Sequence, residues 1–385
     1  ESQNGTTTIH TEITHPAIGQ NQIKKLTLKY TTPEIVESIG DTLTVNIPRL
    51  AKSNEAKEYI REVKIAGAGG KHSYLLPSPT QTIENDDGAT TYIFRGHTSE
   101  ALTLLFGNSV AYRLNLDYLL KNKELQAIDS ELALPPDTPY QQILLSSLTP
   151  PPIDIRVDQD GNYLARYALK PQEKLAVRAE IYVTVTPVPT SFDPSQATLD
   201  PRNHPDYWDT QNESTQSLAA QLKTPEHIYS YLTNNFIYNY DKSRNSSERL
   251  GAIEALANPT NVVCTEFTDT FVALARTLNI PSREINGYAY TTNSSLRPLT
   301  LATDVLHAWP EYYDNVQKIW IQVDPTWGNT TGGVDYFHKL DFSHITFVRH
   351  GAEPNYPLPA GMYKESPSDK SIAIEVAWTV QEKVG

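Results

Sequence analysis

Cys264, His307 and Asp324 follow one another along the C-terminal half of the chain, and together they have the residue types that thiol chemistry needs. A thiol attacks carbonyls efficiently once a base has taken its proton. An imidazole beside it can be that base, and a carboxylate behind the imidazole fixes its tautomer and stabilises its charged form. Attack on an amide carbonyl then gives a thioester and releases an amine. Water as the second acceptor makes the reaction a hydrolysis, and a primary amine makes it a transamidation. Cys264 is the single cysteine of the chain, so no intramolecular disulfide competes for it. Alone, it would read equally well as a small buried hydrophobe, and its surroundings have to decide.

The surroundings are three short segments. In NVVCTEFTDTFVALARTLNIPSREINGYAY (261–290), Phe267, Phe271, Leu274, Ala275 and Leu278 recur at spacings of three and four, which predicts a helix with Cys264 at or just before its first turn. Unpaired N–H groups and the positive end of the helix dipole favour a thiolate there and supply donors for an oxyanion. Asn279 is suited to a left-handed cap, Ile280-Pro281 stops the helix, and Ser282 to Tyr288 reads as extended. LHAWPEYY (306–313) predicts a strand carrying His307. WIQV (320–323) predicts a short strand running into Asp324-Pro325-Thr326-Trp327, with Pro325 stopping the ladder and leaving Asp324 at the strand end. A turn-capping role is the plainer alternative for Asp324. Trp309, Trp320 and Trp327 read as packing, Glu266 and Glu311 as structural polar contacts, and Tyr240 as an optional oxyanion donor.

The rest of the 385-residue chain must position these segments, and its length suits two or three domains. Period-two patterns over Thr7–Thr14, Gln22–Tyr30, Asp41–Ile47, Ala89–Gly96, Val110–Leu119, Ile153–Val157, Asn162–Leu169 and Leu175–Val185 predict strands of one or two β-sandwiches. Ile23, Leu26, Leu28 and Tyr30 are expected to point inward. Asp158–Asn162 (DQDGN) has calcium-loop spacing at its start, but Leu169 stands at the twelfth position, so a hairpin turn is the better reading. Thr224 as N-cap, Pro225 at N1, and Ile228, Tyr231, Leu232 and Phe236 at helical spacing predict a helix. The resulting organisation is α+β. A β-rich region over 1–190, divisible near 105, precedes a Pro-rich linker over 191–205 and a domain over 206–350. A 351–385 extension follows, with one strand at Ser371–Val380. A fragment from about residue 200 to 350 is expected to form its own core.

These blocks resemble the transglutaminase-like superfamily core: a Cys-bearing helix, a strand ending in Gly287-Tyr288, His307-Ala-Trp-Pro-Glu, and Asp324-Pro-Thr-Trp. Tyr238-Asn-Tyr240 matches the region that precedes the nucleophile, and the resemblance spans about Asp206 to His350. It implies a papain-like helix-plus-sheet domain in which Cys264 is the nucleophile, His307 the base and Asp324 the residue that orients it. Val262-Val263 stands where the family commonly has a glycine, and Asn279 where glycine often precedes Ile-Pro. The implied activity is cleavage or transfer of peptide or Gln-type amides, hydrolysis favoured, on a protein or peptide substrate. The alternatives are a crosslinking transglutaminase, or an inactive surface scaffold that binds through its β domains. No cofactor is implied, and no metal: His338 and His344 lie six apart with no neighbouring Cys, short of a zinc pattern.

A net charge of −13 without a basic run argues against nucleic acid and against a polybasic membrane patch. No stretch reaches the ~18 apolar residues of a spanning helix. Abundant Thr, Asn, Tyr and Pro, the lack of structural Cys, and a start at Glu1 lead to the expectation of an extracytoplasmic protein, secreted or tethered to a membrane outside the given chain.

Overall fold

The computed structural model describes residues 2–3, 6–7, 27–33, 35–49, 59–66, 72–96, 100–190, 204–244, 248–291, 296–298, 306–366 and 369–380. The chain divides into two compact units, Glu1–Pro33 and Glu34–Gly385. In the first, β1 (Ser2–Gln3) pairs with β2 (Thr6–Thr7). The strand expected over 22–30 is not formed in its described part: Leu28 and Tyr30 are 57% and 76% exposed. An alternating pattern makes a strand only where a neighbour takes its hydrogen bonds, and among the described residues no ladder pairs with residues 27–30. Ile23, Leu26 and residues 8–14 lie outside the described residues.

The second unit begins with a sandwich. Its strands are β3 (Val36–Ile39), β4 (Thr42–Ile47), β5 (Ile60–Ile65), β6 (His72–Leu76), β7 (Gln81–Glu84), β8 (Thr90–Arg95) and β9 (Leu102–Phe106). They form sheets in the orders β3-β4-β9-β6 and β5-β8-β7. The inward residues of the two sheets, Val45, Leu102 and Leu104 against Val63, Tyr92 and Phe94, share one core. A second sandwich uses β10 (Ser109–Lys121), β11 (Ile128–Leu134), β12 (Gln141–Thr149), β13 (Asp154–Val157), β14 (Tyr163–Leu169) and β15 (Lys174–Val185). The DQDGN segment is the β13–β14 hairpin turn, with Gly161 at φ 80° and Asp158 Oδ1 accepting from the Asn162 N–H at 2.8 Å.

Residues 191–203, most of the expected linker, lie outside the described set. The helices follow: α1 (Glu213–Leu222), α2 (Pro225–Asn235), α3 (Tyr240–Arg244), α4 (Gly251–Ala257) and α5 (Cys264–Thr277). Thr224 caps α2 by accepting from the His227 N–H at 3.2 Å. Next come β16 (Ser282–Ala289), β17 (His307–Asp314), β18 (Ile319–Gln322), α6 (Pro325–Thr330), β19 (His344–His350) and β20 (Ile372–Val380). The antiparallel sheet β18-β17-β16-β19 packs against α5. The C-terminal β20 runs back to the second sandwich and completes the order β12-β15-β10-β20.

Every residue of α5 from Cys264 to Arg276 is buried. Phe267, Phe271, Leu274 and Ala275 share a core with Phe236 and Trp327, while Val272 and Ala273 meet Trp208 and Ala252. That helix core is drawn mostly from the helices and their sheet, with Ala101 and Tyr140 contributed by the sandwiches. Leu306, Phe342, Ile345 and Phe347 instead join the core of the second sandwich, so β19 ties the two layers together.

Candidate active site

Cys264 is the first residue of α5, at the positive end of its dipole. The helix start is held by Glu266. Its carboxylate accepts from the Val263 N–H at 2.8 Å and the Leu250 N–H at 3.0 Å, and Lys242 Nζ lies 3.0 Å away. Glu266 at N3 reaching back to the N-cap backbone is one half of a capping box. Val263 has no side-chain oxygen to supply the other half. Val263 is extended (φ −127°, ψ −172°) and Val262 forms a parallel bridge with Tyr238, a conformation open to any residue, so glycine is not required there. Asn279, past the end of α5, does take the left-handed conformation (φ 60°).

His307 begins β17 opposite Gly287 of β16. A Cβ at position 287 would lie 2.1 Å from the Ile345 carbonyl oxygen and 2.6 Å from the Trp309 ring, so only glycine allows this approach. Trp309 and Trp327 stack nearly parallel to the imidazole, with centroids 5.7 and 5.2 Å away. The indole N–H groups are used elsewhere, Trp309 on Gln322 at 3.1 Å and Trp327 on the Pro298 carbonyl at 3.3 Å.

Asp324 is the N-cap of α6. Its Oδ1 accepts from the Thr326 and Trp327 N–H groups at 2.9 and 3.0 Å. Its Oδ2 lies 2.9 Å from His307 Nε2. A carboxylate only accepts, so Nε2 carries the proton and Nδ1 is left for the Cys264 thiol. Nδ1 is buried and makes no hydrogen bond of ordinary geometry, while the Cys264 thiol is near enough to act on the ring. Burial by itself would depress the basicity of His307. The Asp324 carboxylate and then the Cys264 thiol outweigh it and raise the group to about 9. Burial works against the Asp324 charge, and the two imidazoles on it still hold its carboxyl well below the usual range.

The second imidazole is His344, whose Nε2 lies 3.3 Å from the same Asp324 oxygen. Nothing in its spacing from His338 pointed to this place; His338 turns away to Asp335. His307, Asp324 and His344 form the donor set among the described residues that could hold a metal ion. Their separations are those of hydrogen bonds that already pair all three. Tyr240 packs its ring on Tyr238 at 4.9 Å and is partly exposed. Trp320 lies under the Arg283 guanidinium, which also pairs with Glu311. Glu266, Glu311 and Trp320 are thus engaged in structural contacts.

Residues 209–325, which include Cys264, His307 and Asp324, match the transglutaminase-like superfamily. This stretch is a transglutaminase-like superfamily domain, preceded by a β-rich region. The chain is also similar to a candidate cysteine protease from Cytophaga hutchinsonii, at 18% identity over 70% of this chain and 87% of that one, with a TM-score of 0.42. The periplasmic domain of TgpA from Pseudomonas aeruginosa aligns at 16% identity over 58% of this chain and 91% of that one, TM-score 0.29. A candidate protease from Parabacteroides distasonis aligns at 10% identity over 78% and 68%, TM-score 0.22. No curated protein matches the chain. No helix among the described residues of the transglutaminase-like domain or its β-rich partner is long and apolar enough to cross a membrane.

Proposed function

We propose that the transglutaminase-like domain is a cysteine acyl-transfer enzyme acting on peptide or Gln-type amides, with Cys264 as nucleophile, His307 as base and Asp324 as the group that orients it. The observation that carries this reading is the buried His307–Asp324 pair, with one ring nitrogen left for a thiol at the head of α5. At neutral pH His307 Nδ1 already holds the proton taken from the thiol, and the Cys264 sulfur attacks the amide carbon. The oxyanion forms beside the first turn of α5, where backbone N–H groups can bind it. Collapse breaks the C–N bond, His307 returns the proton to the departing amine, and a thioester remains on Cys264. A second acceptor, with His307 again as base, releases the acyl group and restores the thiol. Hydrolysis is the favoured outcome, because water needs no site of its own, whereas transamidation needs an amine-binding subsite and the exclusion of water. The composition that suggested an extracytoplasmic setting supports placing this activity there.

The test is amine release from a panel of peptides, with and without a primary amine acceptor. Cys264→Ala is expected to abolish release while leaving the thermal transition nearly unchanged. His307→Ala is expected to do the same, and the double mutant should lose no more than either alone, because the two act as one unit. Undiminished release from Cys264→Ala would remove this site from consideration. Amine incorporation outrunning hydrolysis would make the protein a transglutaminase instead.

A further inference from the structure

His344 opens β19 and is buried. Its Nδ1 is 2.8 Å from Asp341 Oδ1 and its Nε2 is 3.3 Å from Asp324 Oδ2. Both partners are carboxylates held in the charged form, Asp341 at about 2 and Asp324 lower still. Carboxylate oxygens accept and do not donate, so both ring nitrogens of His344 must carry protons. The ring is then an imidazolium, and its own proton affinity agrees. Burial would lower it, but Asp341 first and Asp324 after it raise it to about 9. Around the ring stand Trp327 and Trp309, with centroids at 4.7 and 4.9 Å, and Tyr336 at 6.2 Å. The charged groups that act on this cluster are His307, Glu37 of β3, Arg297 and Lys339.

We propose that His344, fixed as an imidazolium between Asp341 and Asp324, is a positioning residue that locks the second lone-pair direction of Asp324 Oδ2 and offsets part of its charge. It thereby sets the upper pH limit of the Cys264–His307 pair. This rests on the catalytic reading above. Asp324 faces two cations through one oxygen, so its pull on the His307 proton is divided. Without the His344 charge, Asp324 would stabilise the His307 imidazolium more fully through Nε2–H, and Nδ1 would keep its proton to higher pH. Removing one adjacent buried charge shifts a neighbour by about one pH unit, tenfold in proton affinity.

The experiment uses the full chain with ring-15N histidine, followed by NMR from pH 5 to 11, with His307 and His344 signals assigned by substitution. In the wild type, both nitrogens of His344 should be protonated at pH 7, with a midpoint near 9. In His344→Gln, which keeps a neutral donor for Asp324, the His307 midpoint should rise by about one unit. The basic limb of kcat/KM should move with it while KM stays unchanged. Asp341→Asn, a gentler change, should lower the His344 midpoint. A neutral His344 at pH 7 in the wild type would overturn the proposal without any variant having to fold. So would a His307 midpoint unmoved in folded His344→Gln. Failure of the catalytic reading shows separately, as full amine release from Cys264→Ala, and would take this proposal with it.

Discussion

Asp324 serves a helix cap and two imidazoles with its two oxygens. The turn-cap reading of this residue is met by Oδ1, and the orienting role we propose falls to Oδ2, which faces His307. Asp324→Asn therefore cannot keep both. If the amide oxygen stays on the Thr326 and Trp327 N–H groups, the amide N–H₂ faces two ring N–H donors. We expect kcat to fall by about 10³–10⁴, less than in Cys264→Ala, through loss of the correct tautomer. Stability measured in urea should fall by about 3–5 kcal/mol, because two buried cations lose their partner. A variant with wild-type stability would contradict the double role. A second expectation concerns pH. His307 is raised to about 9, and in the mechanism we propose its proton goes to the departing amine, so kcat/KM should decline as pH rises through about 9. A basic limb near the unperturbed 6.5 would show that Asp324 does not support the ring in solution.

Among the elements, α5 and the β16–β17 pair fix the distance between sulfur and imidazole. Gly287 is where they can be disturbed without touching a reacting group. Gly287→Ala drives a methyl into the Ile345 carbonyl and the Trp309 ring that stacks on His307. We expect a loss of about 1–3 kcal/mol from overpacking, together with a fall in kcat in the protein that remains folded; unchanged thermal unfolding and kcat would argue that the sheet gives way easily there. These elements were legible because their signals are local. The α5 stripe, the Ile-Pro stop and the Thr224-Pro225 cap each determine structure within a few residues. Strands such as β9 escaped because LTLLF is too short and too evenly buried to show a polar face: all five positions, Thr103 included, are buried. The described part of the strand read over 22–30 is not a strand for the opposite reason: residues 27–30 alternate without a ladder partner among the described residues. His344 was out of reach because its role depends on Asp341 and Asp324 converging on it, and only tertiary packing brings Asp324 there.

At the scale of the whole molecule, the transglutaminase-like domain leans on its β-rich partner. Ile345 and Phe347 of β19, the strand that carries His344, are packed into the second sandwich. A fragment over 206–350 would keep the α5 core but uncover that apolar face. We expect it to bind hydrophobic dyes and to unfold less cooperatively than the full chain; equal stability would show the sandwich to be dispensable. The two raised histidines also link folding to pH. A proton held more tightly in the folded state stabilises fully below the unfolded value of about 6.5 and is lost as pH rises through about 9. Stability should therefore fall between pH 7 and 10, on the order of a few kcal/mol, and a rise over that range would contradict the buried charges. The most direct test of the central claim is intact-mass measurement of the full chain after incubation with a peptide-like electrophile. The prediction is a single adduct on Cys264, formed in the wild type and suppressed in His307→Ala. Equal labelling of both proteins, or none of the wild type, would contradict a thiol activated by His307.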